Sequence, residues 1–334
     1  MTLRYPTHIG PDHKWYEHRR SALSAGSNWP ERHRSAAFIL IRVHALEINT
    51  PQDFARDPRW RIDFGNYSPE YRSHSLMEYG NRIGVFRLLD FLQSLGWKVA
   101  AAVNGLVAHE NPWLIRDLDR RGVEIVASGW SASRMLSSAV SPEIEAELIR
   151  RSRDAIAEAT GIVPRTYSSQ DYGYSMNTAS ILSSLGFSTA VDWPNDEVPF
   201  SFGEDRKLLI IPPAAELDDA QMVVGRRLQS PRWCGHLAEA LSYWKDHALS
   251  GSVLVLPLHA WISGAPHRFT NLRQTLTTFD AQSFWQAAPL EIEAAWRKKL
   301  WGSALQSPSS FAGSCGNAPN SVICKYIKQR PAPR

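Results

Sequence analysis

The sequence predicts an α/β chain built on a mainly parallel sheet, and three observations carry that prediction. Strand-like and helix-like segments alternate along the body of the 334-residue chain. The strand candidates are short apolar runs, whereas the helix candidates space their apolar residues along one face. No Pro/Gly/Ser-rich linker interrupts the alternation between residues 35 and about 280. Repeated βα units pair their strands in parallel and place helices outside, as an open sheet or a closed barrel.

Each element has its own justification. Ala37–Val43 is a buried-strand run. From Glu78 to Leu95, residues Ile83, Val85, Phe86, Leu88, Leu89, Leu92 and Leu95 share one helix face, and Gly96 stops the helix. Lys98–Val103 is the next strand. Pro112 opens a short helix that ends at Gly122, and Val123–Val126 follows as a strand. Ser141-Pro142-Glu143 combines a hydroxyl cap, a first-turn proline and an acid near the helix dipole, starting a helix that runs to Gly161. Asn177–Leu185 reads as a helix, Thr189–Trp193 and Leu208–Ile211 as strands, and Trp233–His247 as a helix. Val253–Leu258 is a strand and His267–Phe279 a helix.

The ends differ from the body. Residues 1–34 are polar and aperiodic and read as an N-terminal extension. Residues 35–280 form the barrel-like domain, and 281–334 supply a C-terminal helix followed by a basic tail that reads as disordered. Charge follows the same division. Residues 1–34 hold six basic and three acidic groups, and 296–334 hold seven basic and none acidic, so the body is net acidic although the chain is +4. A basic nucleic-acid face on the folded body is unsupported. No apolar run approaches the ~18 residues of a membrane span, and the N-terminus lacks a secretory apolar core. Three cysteines without a CxxC spacing (Cys234, Cys315, Cys324) point to a reducing, cytoplasmic setting. No glycine-rich phosphate loop follows any strand.

Parallel α/β folds collect chemistry at the carboxyl ends of their strands. His44 and Glu47 follow the first strand, and Ser128, Gly129 and Trp130 the third. Asp192, Trp193, Asn195, Asp196 and Glu197 follow Thr189-Ala-Val; Glu216, Asp218 and Asp219 follow Leu208–Ile211; His259 and Trp261 follow Val253–Leu258. Such residues suit an enzyme cleft, and they also suit solvent-facing loops.

Four segments, in order, resemble the polysaccharide deacetylase (NodB-homology) family, in its branch of metal-independent allantoinase and peptidoglycan-deacetylase-like proteins. Glu78-Tyr-Gly-Asn-Arg-Ile-Gly-Val-Phe-Arg-Leu-Leu89 is similar to EYGxRxGxxRLL, and Gly122-Val-Glu-Ile-Val-Ala-Ser-Gly-Trp130 to GHEIASHGW. Asp192-Trp-Pro-Asn-Asp-Glu-Val-Pro-Phe200 is similar to DxxNDDxPY, and Leu256-Pro-Leu-His-Ala-Trp-Ile-Ser-Gly-Ala-Pro-His-Arg268 to LHPxxxGxPxR. The resemblance implies a distorted (β/α) barrel of about seven strands. It also implies a hydrolase of non-peptide carbon–nitrogen bonds, in an N-acetyl sugar, a ureide or a cyclic imide. His259 then matches the general acid, and Glu47, Asp192 or Asp196 supplies the base. Ser128, Trp130, Trp193, Asn195, Asp196, Asp219 and Trp261 are the substrate-contact candidates.

The departures from the pattern are specific. Ser128 and Ala132 stand where metal-using members carry two histidines, so the expectation is no metal and no other cofactor. Ala45-Leu46-Glu47 stands where the family has two adjacent carboxylates. The stretch 167–177 is about two residues longer than the pattern and places Asp171 near the family's arginine. These losses keep open a second class: a member that binds a small amide, ureide or amino sugar without turnover. The expected partner is that small molecule, with no nucleic acid or membrane, in a homo-oligomer as the resemblance implies.

Overall fold

The computed structural model describes residues 8–9, 15–18, 28–51, 53–54 and 69–306. Nine strands form the main sheet: β1 (Ser35–Val43), β2 (Val99–Val103), β3 (Glu124–Ala127), β4 (Thr166–Tyr167), β5 (Thr189–Ala190), β6 (Phe200–Phe202), β7 (Leu208–Ile210), β8 (Ser252–His259) and β9 (Trp285–Gln286). Eight of them lie in the order β8-β1-β2-β3-β4-β5-β7-β6, and β9 pairs with the start of β1. Every pairing is parallel except β6 with β7. The sheet curls into a half-barrel. Hydrogen bonds from Val253 N–H to the Glu197 carbonyl and from Ala214 N–H to the Val255 carbonyl, both 2.9 Å, draw the far side toward β8.

The α/β alternation read from the sequence is present, with differences that have physical causes. Strand β5 stops at Ala190, short of Trp193, whose φ of 56° lies in the left-handed region and takes the chain out of the sheet. Strands β4, β6 and β9 are two or three residues long, too short to carry a periodic signal. The strand path therefore exceeds the seven implied by resemblance. The helix expected from Glu78 begins seven residues earlier, as Tyr71–Tyr79, where polar residues hide the start, and runs through a π-turn (Gly80–Gly84) into Val85–Ser94. The helix from Ser141 is as read: Ser141 Oγ accepts from Ile144 N–H, and Gly161 closes it at φ 78°.

Two glycines of the π-turn position the site. A Cβ on Gly80 would lie 2.6 Å from the Trp261 nitrogen, and one on Gly84 would run into the Ala260 carbonyl. This helix therefore packs backbone to backbone on the turn after β8, and Arg87 donates to the Gly264 carbonyl of the same turn. Apolar faces of β1, β2, β3 and β8 fill the core with Leu88, Leu92, Trp233 and Leu237 from surrounding helices.

The chain divides into two compact units, 1–293 and 294–334. The first holds the whole sheet. The second is described only to residue 306, where it is the continuation of the helix Pro289–Gln306. The basic tail lies outside the described residues, as does most of the N-terminal extension. No helix among the described residues is long and apolar enough to cross a membrane.

Candidate active site

The carboxyl ends of the strands hold a buried polar network. His259 is the last residue of β8, so its backbone is fixed by pairing with Arg42 on β1. Asp219 takes the His259 backbone N–H on both carboxylate oxygens (3.0 and 2.9 Å) and faces Nδ1 at 2.7 Å; Ser263 Oγ donates to the same carboxylate at 2.6 Å. A carboxylate only accepts, so Nδ1 carries the proton and the ring's orientation is set. Asp218 Oδ1 stands 3.7 Å from the same nitrogen. Asp218 also accepts from the Ala220 N–H and, at 2.8 Å, from the Tyr172 hydroxyl.

His44 faces His259 edge to face, with ring centroids 6.2 Å apart. Asn81 holds its carbonyl (3.1 Å), and its Nε2 meets Ser128 Oγ at 3.0 Å. Burial, then the charge of Arg42 and the neighbouring His259, hold its pKa well below the ordinary histidine value, so His44 is neutral at physiological pH. Arg42 lies inside β1, only 1% exposed, donating to the Ser169 carbonyl at 2.7 Å and stacking 5.2 Å from the Tyr172 ring. Burial opposes its charge, but Tyr172, Asp218 and Asp192 more than offset that and raise its pKa.

A small cleft opens above this network, walled by His44, His259, Gln170, Asp171, Met77, Met135 and Ala132. Of the residues expected from the sequence, His259 lines it, with Asp219 directly behind. Ser128 supports His44. Trp261 packs on Leu46, Met77 and Ala132, two of which are cleft walls.

The other candidates are engaged elsewhere. Glu47 accepts from Ser131, Ser133 and Arg134 (Nε at 2.7 Å). Burial pushes its pKa up, but these donors outweigh that and hold it below the usual carboxylate value. Asp192 is fully buried, taking the Ser169 N–H and hydroxyl and the Tyr174 hydroxyl. Burial lifts its pKa to about 6 against the opposing pull of Ser169, Arg42 and Tyr174. Trp130 stacks under the Arg151 guanidinium at 3.7 Å, and Gly105 packs on its ring. Trp193 sits among Trp15, Tyr16, Tyr174 and Phe202. Asp196 caps the Glu197 and Val198 N–H groups, and Asn195 is exposed.

His44 and Asp218 were visible as strand-end residues, but nothing in the sequence assigned them a role. Arg42, Tyr172 and Gln170 were missed. An arginine inside an otherwise apolar strand run was the available signal for the first; Tyr172, at φ 57°, owes its place to a loop conformation that no spacing reveals.

The positions that would hold a metal in metal-using members do not fit one. Glu47 is saturated by Arg134 and two serines, Ser128 is spent on His44, and Ala132 offers no donor. Among the described residues, one other group has ligand spacing, Asp218, Asp219 and His259, but Asp219 is committed to His259 and Ser263.

The polysaccharide deacetylase family model matches residues 78–190. A Schizosaccharomyces pombe protein named "Putative polysaccharide deacetylase" is 24% identical over 267 residues, 71% of this chain and 80% of that protein. The crystal structure of a "putative polysaccharide deacetylase from Mycobacterium smegmatis" superposes with a TM-score of 0.65 at 24% identity, covering 82% of this chain and 94% of that one. Puue allantoinase superposes with a TM-score of 0.69 at 19% identity, covering 81% and 92%. At these identities, the structural likenesses establish the fold.

Proposed function

From the match of residues 78–190 to the polysaccharide deacetylase family model, we propose that the chain is a member of that family and hydrolyses a non-peptide carbon–nitrogen bond in a small amide, ureide or amino-sugar substrate. The observation that carries this reading is the pair of histidines in one cleft wall, one held by a carboxylate and the other kept neutral. Amide hydrolysis needs a base to take a proton from the attacking water and an acid to protonate the departing nitrogen. With Nδ1–H tied to Asp219, the imidazolium form of His259 presents Nε2–H as the acid. His44 spends Nε2 on Ser128 and has Nδ1 left to receive the water's proton. Glu47 and Asp192 act in support: Glu47 fixes the segment 131–134 that carries the Ala132 wall, and Asp192 fixes Ser169 below Gln170. No step runs through a metal, because the ligand positions do not fit one.

The second reading, binding without turnover, is favoured by one observation, the replacement of both metal-position histidines by Ser128 and Ala132. One experiment separates the two. Full-length protein is incubated with allantoin, succinimide and N-acetylglucosamine, and ring opening or acetate release is followed. Turnover of any of them that is lost in His259→Ala supports the hydrolase. Binding of a probe with no turnover by the wild type supports the second reading.

A further inference from the structure

Gln170 stands in the cleft wall beside His44 and His259, and it also walls the adjoining pocket formed with Met135, Leu136, Ser169, Asp171 and Gly173. Its Oε1 and Nε2 are both buried, and neither meets a hydrogen-bonding group of the protein among the described residues. The carboxamide is laid on Gly129, where a Cβ would come within 3.2 Å of Gln170 Cδ. A buried donor and acceptor left unpaired cost folding free energy, so such a pair in a native cleft calls for an explanation. The bland alternative, leucine, would fill the space at no such cost.

We infer that Gln170 is a specificity-determining residue that reads a cis-amide edge of the substrate, and that the site therefore takes cyclic ureides, imides or terminal primary amides in preference to N-acetyl amino sugars. This rests on the hydrolase-family reading of the cleft and narrows it. A carboxamide presents its carbonyl and one N–H side by side. Its complement is a ligand whose own C=O and N–H lie on the same side of the C–N bond, as they do in a five-membered imide or ureide ring and in a –CO–NH₂ end. A secondary amide such as an N-acetyl group is trans, with the two groups on opposite edges, and can satisfy only one of them. The carboxamide meets the ligand by turning off Gly129. Met77 and Met135, flexible and unbranched, are the walls that give way.

The test is equilibrium binding by calorimetry on full-length protein, with hydantoin and N-acetylglucosamine as probes, independent of turnover. Wild type is expected to bind hydantoin at least tenfold more tightly than N-acetylglucosamine. Gln170→Leu should weaken hydantoin by about 10- to 100-fold, weaken N-acetylglucosamine by a smaller factor, and melt no lower than wild type. Gln170→Glu, which keeps the shape and exchanges the donor for an acceptor, should lose hydantoin likewise. Equal or reversed preference between the probes overturns the inference, as does unchanged hydantoin binding in both variants or no binding of hydantoin by the wild type. Failure of the hydrolase reading looks different: no turnover, with the binding preference intact.

Discussion

Two histidines close the ends of neighbouring strands, β1 and β8, and their surroundings diverge. His259 has a carboxylate at 2.7 Å from Nδ1, and that carboxylate also grips its backbone. His44 has a serine hydroxyl at 3.0 Å from Nε2, an arginine two residues back inside β1 and, among the described residues, no acidic hydrogen-bond partner. The same side chain is thus supplied with a counter-charge in one place and denied it in the other. A carboxylate favours the cationic ring and a dry, positively charged site the neutral one. The difference teaches how one fold separates an acid from a base using a single residue type.

Removing the acid should have the largest effect. His259→Ala is expected to lower turnover of the substrate by about 10²–10⁴-fold, with near-normal binding of hydantoin and a normal melting profile. A variant with full activity would remove His259 from the mechanism. One that does not fold would return it to the core.

Asp219→Asn tests what makes the two histidines unlike. The amide keeps an acceptor but brings a donor toward Nδ1 and withdraws the negative charge. A loss of about 10- to 100-fold in kcat is expected for a supporting residue of this kind, and the alkaline limb of the pH–rate profile, where the acid gives up its proton, should move. A fall in kcat with no change in that limb would mean that Asp219 only packs the turn. On the other histidine, Ser128→Ala removes one neutral hydrogen bond, worth about 0.5–1.5 kcal/mol. That predicts a decline of about two- to tenfold in kcat/KM. A larger loss would make Ser128 a participant in the reaction and not merely a support for His44.

The contrast between the two histidines also marks where the sequence stops being legible. His259 could be read because it ends a long apolar strand inside a motif that continues through Trp261, Gly264 and Arg268. The α/β alternation could be read for the same reason: buried strands and one-sided helices repeat at lengths that periodicity detects. The partner of His259 was visible as a strand-end acid, but its pairing is a contact across 40 residues that only the curl of the sheet creates. Glu47 and Asp192 occupy expected places in the chain, yet what a carboxylate does depends on its donors. Those donors, Arg134 and Ser169, come from loops without a spacing rule. Gln170 illustrates the limit most sharply, since an unpaired amide is a property of its surroundings and not of its residue type.

A half-buried carboxylate at the opposite end of the sheet sharpens the comparison by supplying desolvation without chemistry. Glu124 begins β3, accepts from Thr166 Oγ1 at 2.6 Å and from the Leu290 N–H at 3.0 Å, and so ties two strands to the first turn of the helix Pro289–Gln306. Burial raises its pKa to about 7, outweighing the opposing pull of Leu290 and Thr166. The folded state therefore holds a proton that the unfolded chain gives up near the ordinary value. Glu124 contributes fully below that value, and its contribution is lost as pH rises toward and through about 7. Glu124→Gln keeps an acceptor for Leu290 and cannot ionise, so it should match wild type near pH 4.5 and melt higher at pH 8. A gain of about 1 kcal/mol corresponds to a few degrees in a chain of this size. Because Glu124 is remote from the cleft, hydantoin affinity should not change at either pH. Identical melting of the two proteins at pH 8 would show that the carboxylate ionises in the folded state without penalty, and a loss of hydantoin binding would show that the two ends of the sheet are coupled.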